Sequence, residues 1–166
     1  MLDESHAREG ATEGCVISIR LGGQVYVQGR GSGLAIVWVA ELGDDHCGWD
    51  AQDEHFSQNY TCVTFDNRGI WQSTILSGPY SMDYFADDAY TVVRELGLAP
   101  AIAIGSSMGG VICQRWAPHY LDDISHQVLA SAWAEHDPYL DVLLRHWISL
   151  MEAGQAADTK PLHGLL

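Results

Sequence analysis

Gly105-Ser106-Ser107-Met108-Gly109-Gly110 stands between a short apolar run, Ala101-Ile102-Ala103-Ile104, and a stretch with helical spacing. Glycine-x-serine-x-glycine in that setting is read as a sharp strand-to-helix turn. Such a turn is too tight for side chains at the flanking positions, and Gly105 and Gly109 have none. Ser107 is then lifted above the strand ends at a helix N-terminus, the position of a nucleophile. The Met108 N–H points to where an oxyanion forms. Ser106 is expected to face away and shape the turn.

Outward from this turn, apolar runs alternate with helical patterns. Leu34-Ala35-Ile36-Val37-Trp38-Val39, Cys62-Val63-Thr64-Phe65 and Gln127-Val128-Leu129-Ala130 resemble the run before Ser107. Continuous apolar runs suit strands buried on both faces, as in a parallel sheet. Cys15 to Arg20 and Gln24 to Gln28 flank Leu21-Gly22-Gly23 and predict a hairpin. Ser81 is a good N-cap for a helix carrying Met82, Phe85, Ala86, Ala89, Val92, Val93 and Leu96 at helical spacing, with Gly97 as its stop. Asp83, Asp87 and Asp88 lie toward its N-terminal half, where the helix dipole favours them. A second helix is predicted from Ser107 or Met108 to about 117, stopped by Pro118, and a third over 138–153. Strands alternating with helices predict an α/β fold, a mostly parallel sheet with helices on both faces. Ligands in such sheets bind at the carboxyl ends of the strands, and Ser107 follows one.

The 166 residues amount to one domain, with enough chain for one core. Residues 1–14 are read as a flexible arm, 15–153 as the domain and 154–166 as a divergent tail. The net charge of −14 argues against nucleic acid and anionic membrane surfaces as partners. The polar start without an apolar signal core, and the lack of any run long enough to span a bilayer, place the chain in the cytoplasm. None of Cys15, Cys47, Cys62 and Cys113 forms a C-x-x-C pair or has a histidine at zinc spacing, so no metal or other cofactor is expected. No G-x-G-x-x-G opens the first helix and no Walker sequence occurs, which sets nucleotide binding aside.

Four stretches together resemble the α/β-hydrolase fold family, in particular its cofactor-free esterase and lactonase-like members. These are Leu42-Gly43-Asp44-Asp45 with Trp49, the run Phe65-Asp66-Asn67-Arg68-Gly69-Ile70-Trp71-Gln72-Ser73, the helix from Tyr80-Ser81-Met82 to Leu96-Gly97, and the serine turn. Val128 to Trp133 fits the family's sixth strand. The resemblance implies a serine hydrolase of carboxylic esters or lactones, with Ser107 as nucleophile and the N–H groups of Met108 and Leu42 as oxyanion donors. It also implies that Asp66 and Arg68 brace their loop rather than perform chemistry.

Three departures bear on that expectation. Ala40-Glu41 replaces the family's His-Gly. An inward Glu41 carboxylate at about 5 Å would oppose the oxyanion by roughly 3 kcal/mol at an effective dielectric near 20, whereas an outward, solvated one is harmless. Trp71 replaces a glycine, either narrowing the pocket or lying idle on the surface. The fold is expected to be C-terminally incomplete, with the cap and last strands missing. The triad order is serine, acid, histidine. Glu135 and Asp137 are the candidate acids, and His136, His146 and His163 the candidate bases. The alternative to an enzyme is an inactive truncated hydrolase-fold protein that serves as a binding or oligomerisation module. Its exposed sixth-strand edge would then pair two copies in a homodimer.

Overall fold

The computed structural model describes residues 14–135 and 137–152. The expected arm, the tail with His163, and His136 lie outside the described residues. Strand β1 (Cys15–Ser18) and β2 (Gln24–Gly31) form the predicted hairpin, antiparallel in the register Val16 to Tyr26. Then follow β3 (Ala35–Val39), a 3-10 turn (His46–Trp49), α1 (Asp50–Phe56), β4 (Thr61–Phe65), α2 (Met82–Glu95), β5 (Ala101–Ser106), α3 (Met108–His119), β6 (Ile124–Ala130) and α4 (Pro138–Glu152). The strands lie in one sheet in the order β1-β2-β4-β3-β5-β6. From β4 to β6 the neighbours are parallel, and β2 meets β4 antiparallel. The α/β class and the mostly parallel sheet are therefore as the sequence predicts.

Alternation along each strand divides the core between two faces. Val25, Val27, Val37, Val39, Val63, Phe65, Ala101 and Ala103 face α2 and α3, which contribute Phe85, Val92, Ile112 and Trp116 to the larger core. Ile36, Trp38 and Cys62 point to the other face and pack against Trp49 and Tyr60. Trp38 stacks on Trp49 at 4.9 Å and meets Phe56 of α1 at 5.7 Å. The sequence does not announce α1. Its seven residues carry too little apolar periodicity to announce a helix, and it is held by this aromatic cluster and by pairing of Asp53 with Arg30 of β2.

Helix α2 begins where Ser81 predicts: the Ser81 hydroxyl oxygen accepts from the Tyr84 N–H at 3.3 Å. Helix α3 runs past the predicted stop, with Pro118 inside its last turn. A proline there forfeits one intrahelical bond, and the helix still closes as Tyr120 N–H donates to Trp116 O at 3.1 Å. No described helix is long and apolar enough to cross a membrane.

Candidate active site

Ser107 sits between β5 and α3 with φ 51° and ψ −119°, a left-handed backbone that side chains rarely adopt. Three backbone bonds hold it there. Its N–H donates to Ala130 O of β6 at 2.9 Å, and its carbonyl accepts from Gly110 N–H at 3.0 Å and Val111 N–H at 3.2 Å. The glycines explain themselves by contact. A Cβ on Gly105 would lie 2.3 Å from the backbone of Gly109, and one on Gly109 would lie 2.1 Å from the Val39 carbonyl oxygen. The strained serine and the close crossing are thus one construction.

The Gly109 contact also sets the start of α3 directly against the end of β3. Val39 pairs with Gly105 in register, so the chain leaving β3 passes beside the serine turn. Glu41 to Asp44 form a tight turn closed by Asp44 N–H to Glu41 O at 3.2 Å, with Gly43 at φ 81°. Leu42 lies at its second position, and among the described residues no hydrogen bond takes up its N–H. Met108 is the first residue of α3, whose first amides have no partner within the helix. Buried Asn67 reaches the same segment, donating to Ala40 O at 3.3 Å.

Glu41 is exposed. Its Oε2 accepts from the Ser106 hydroxyl at 3.2 Å. Ser106 is therefore not idle: it holds the carboxylate at the side of a crevice of about 190 Å³ that Asp44, Trp49 and Gln52 also line. Trp71 is 67% exposed and lies at the surface at φ 43°, a conformation that glycine adopts without strain.

Asp66 and Arg68 are structural, each through buried bonds. One Asp66 oxygen accepts from the His46 backbone N–H at 2.8 Å and lies 2.7 Å from His46 Nδ1. Its other oxygen accepts from the Gln72 N–H at 3.1 Å. Asp66 so ties the loop after β3 to the loop after β4. Arg68 makes two 2.7 Å bonds to the carboxylate of Asp88, both side chains being buried. Burial pushes the Asp88 carboxyl above its ordinary value of 3.8, against the pull of Arg68. The sequence reading assigned Asp88 to the helix dipole and missed this pair. Its position within the apolar stripe of Phe85, Ala89 and Val92 was the available signal.

Of the candidate acids and bases, Glu135, Asp137 and His146 are among the described residues, and His136 and His163 are not. Glu135 is exposed. Asp137 caps α4, accepting from the Leu140 N–H at 2.8 Å. His146 is an exposed residue of α4. Among the described residues no hydrogen bond joins the Ser107 hydroxyl to an imidazole or a carboxylate. His119 ends α3 and His126 lies on β6.

Comparison with known proteins agrees with the fold. Residues 32–165 match the sequence profile of the alpha/beta hydrolase fold. A relative named provisionally as carbamate hydrolase RutD, from Caulobacter segnis, is 31% identical over 101 residues, which is 60% of this chain and 38% of that protein. The 3-oxoadipate enol-lactonase 2 of Acinetobacter baylyi is 27% identical over 107 residues, 64% of this chain and 40% of the relative. A thermophilic esterase from Thermogutta terrifontis superposes with a TM-score of 0.77 at 24% identity, covering 87% of this chain and 56% of the esterase. The chain thus spans about two-fifths of these two curated relatives and just over half of the solved structure.

Proposed function

This chain belongs to the alpha/beta hydrolase fold family, and on that premise we propose that it is a serine hydrolase of carboxylic esters or lactones with Ser107 as its nucleophile. The observation that carries the reading is the strained backbone of Ser107 between two glycines whose Cβ positions are occupied by neighbouring backbone. Strain of this kind costs about 1–3 kcal/mol and persists where the surrounding structure over-determines it. An idle serine at a helix start needs none of it.

In the proposed reaction the Ser107 hydroxyl oxygen attacks the acyl carbon as its proton passes to a base. The N–H groups of Met108 and Leu42 hold the resulting oxyanion. The alcohol leaves with a proton, and water then releases the acid. Asp137 or Glu135 is the proposed acid, and His136, His146 or His163 the proposed base. A carboxylate exposed to water, as Glu41 is, opposes the oxyanion weakly. The relatives' names (a carbamate hydrolase, an enol-lactonase, an esterase) share an acyl carbon bonded to a heteroatom, which supports the substrate class. We place this chemistry in the cytoplasm.

A second reading is a hydrolase-fold protein without activity that binds or assembles through its sheet edge. One observation favours it: no described acid or imidazole is bonded to Ser107. Turnover of a short-chain p-nitrophenyl ester and of a simple lactone by wild type and by Ser107→Ala separates the two. Turnover lost in the variant supports the hydrolase. Equal rates in both proteins support the assembly reading.

A further inference from the structure

The 3-10 turn after β3 holds a second group of chemically capable side chains, which the proposed hydrolysis does not use. A carboxylate oxygen of Asp45, a ring nitrogen of His46 and the Cys47 sulfur lie within 4.8 Å of one another. Asp45 and His46 are each only 5% exposed, while Cys47 is exposed. Zinc-ligand bonds of about 2.0–2.3 Å set tetrahedral donors roughly 3.4 Å apart, so the observed spread is at most roughly 1.5 Å wider. Rotation of an exposed thiol covers much of that difference. No zinc-type spacing is visible in the sequence because the three residues are consecutive, and the 3-10 turn is what gathers their donors.

The histidine is also held as a ligand histidine is held. Its Nδ1 lies 2.7 Å from Oδ1 of the fully buried Asp66, and the same oxygen accepts the His46 backbone N–H. A carboxylate on one ring nitrogen fixes the tautomer, orients the ring and leaves the lone pair on Nε2. Asp45 is positioned too, since its Oδ1 accepts from the Cys47 N–H at 3.0 Å. A carboxylate oxygen has further lone pairs for a cation.

We propose that Asp45, His46 and Cys47 form a binding site for a borderline divalent transition cation of the zinc class, with Asp66 as the positioning residue behind His46. Thiolate, imidazole and carboxylate together select zinc or cobalt over magnesium and calcium, which take oxygen donors. Binding replaces the Cys47 thiol proton, which goes to solvent, so affinity rises with pH. Three protein donors leave the fourth position to water. The site lies in the loop that also carries Leu42, and it stands whether or not Ser107 is a nucleophile.

Cobalt(II) titration of the purified chain tests this, because thiolate ligation gives a near-ultraviolet charge-transfer band. One Co²⁺ per chain is expected, with a band that Zn²⁺ abolishes and excess Mg²⁺ leaves. Cys47→Ser should remove the band, and Cys15→Ser, at the other exposed thiol, should keep it. His46→Gln should weaken binding at least about 10-fold. A chain that stays folded without any band, a band unchanged in Cys47→Ser, or displacement by Mg²⁺ overturns the proposal. Cys47→Ser changes an exposed side chain and keeps the test decisive even if His46→Gln fails to fold.

Discussion

At Ser107, the proposed function and stability pull in opposite directions. A left-handed backbone at a residue with a Cβ costs about 1–3 kcal/mol, and glycine adopts it freely at an entropic cost of about 0.5–1 kcal/mol. Ser107→Gly should therefore raise the unfolding free energy by roughly 1 kcal/mol in urea titration while removing any serine chemistry. Destabilisation instead would mean that the φ of 51° is not strained. Arg68 and Asp88 test burial in the same way. Removing the arginine leaves the buried Asp88 carboxylate uncompensated, so Arg68→Met should cost about 3–5 kcal/mol at neutral pH, read by denaturant unfolding. The pH sign follows from the raised Asp88 carboxyl. In the folded chain Asp88 holds its proton at pH values where the unfolded chain has released it. Its contribution to stability is thus greatest below the ordinary value of 3.8 and declines as pH rises through its folded value. Asp88→Asn should abolish that slope.

Among the elements, legibility in the sequence followed the strength of local signals. The β1–β2 hairpin, β3, β5, α2 and the serine turn were readable because apolar period, caps and glycines agree there. Helix α1 was not, because its stability comes from Trp38 and Trp49 rather than from its own pattern. Nor was the end of α3, since Pro118 stops a helix only where later bonds are needed. Within the site, the sharp turn at Ser107 and the helix starting at Met108 were legible from the motif, while the roles given to Ser107, Met108 and Leu42 are proposals. The Asp66–His46 and Arg68–Asp88 pairs were not legible, because contacts between residues 20 apart depend on how β4 and α2 pack. The junction of β5 with α3 is the element most exposed to a single change. In Gly109→Ala the new methyl meets the Val39 carbonyl, a backbone atom with little room to yield. About 1–3 kcal/mol of overpacking is expected in thermal unfolding, with loss of any activity at Ser107. An unchanged melting temperature would contradict the close crossing.

For the whole molecule the sheet is asymmetric. At one end lies a short antiparallel hairpin, while at the other, among the described residues, β6 pairs only with β5 and leaves Val128 at 50% and Leu129 at 43% exposure. Besides His126, β6 carries no ionisable side chain that would repel a second copy along this edge. Unpaired, apolar edge strands recruit other chains. Self-association that grows with concentration in analytical ultracentrifugation is expected, and Val128→Lys should reduce it. A wild-type chain that stays monomeric at high concentration would count against the edge as an interface.

Whole-molecule assembly and local chemistry meet at Ser107, because its N–H is bonded to Ala130 at the end of the same exposed strand. The most direct test of the central claim is labelling with a fluorophosphonate probe, with the modified peptide identified by mass spectrometry. A single phosphonylated serine, Ser107, is expected in the folded wild type, with no labelling in Ser107→Ala. A folded wild-type chain that stays unlabelled, or that is labelled at another serine, would contradict it.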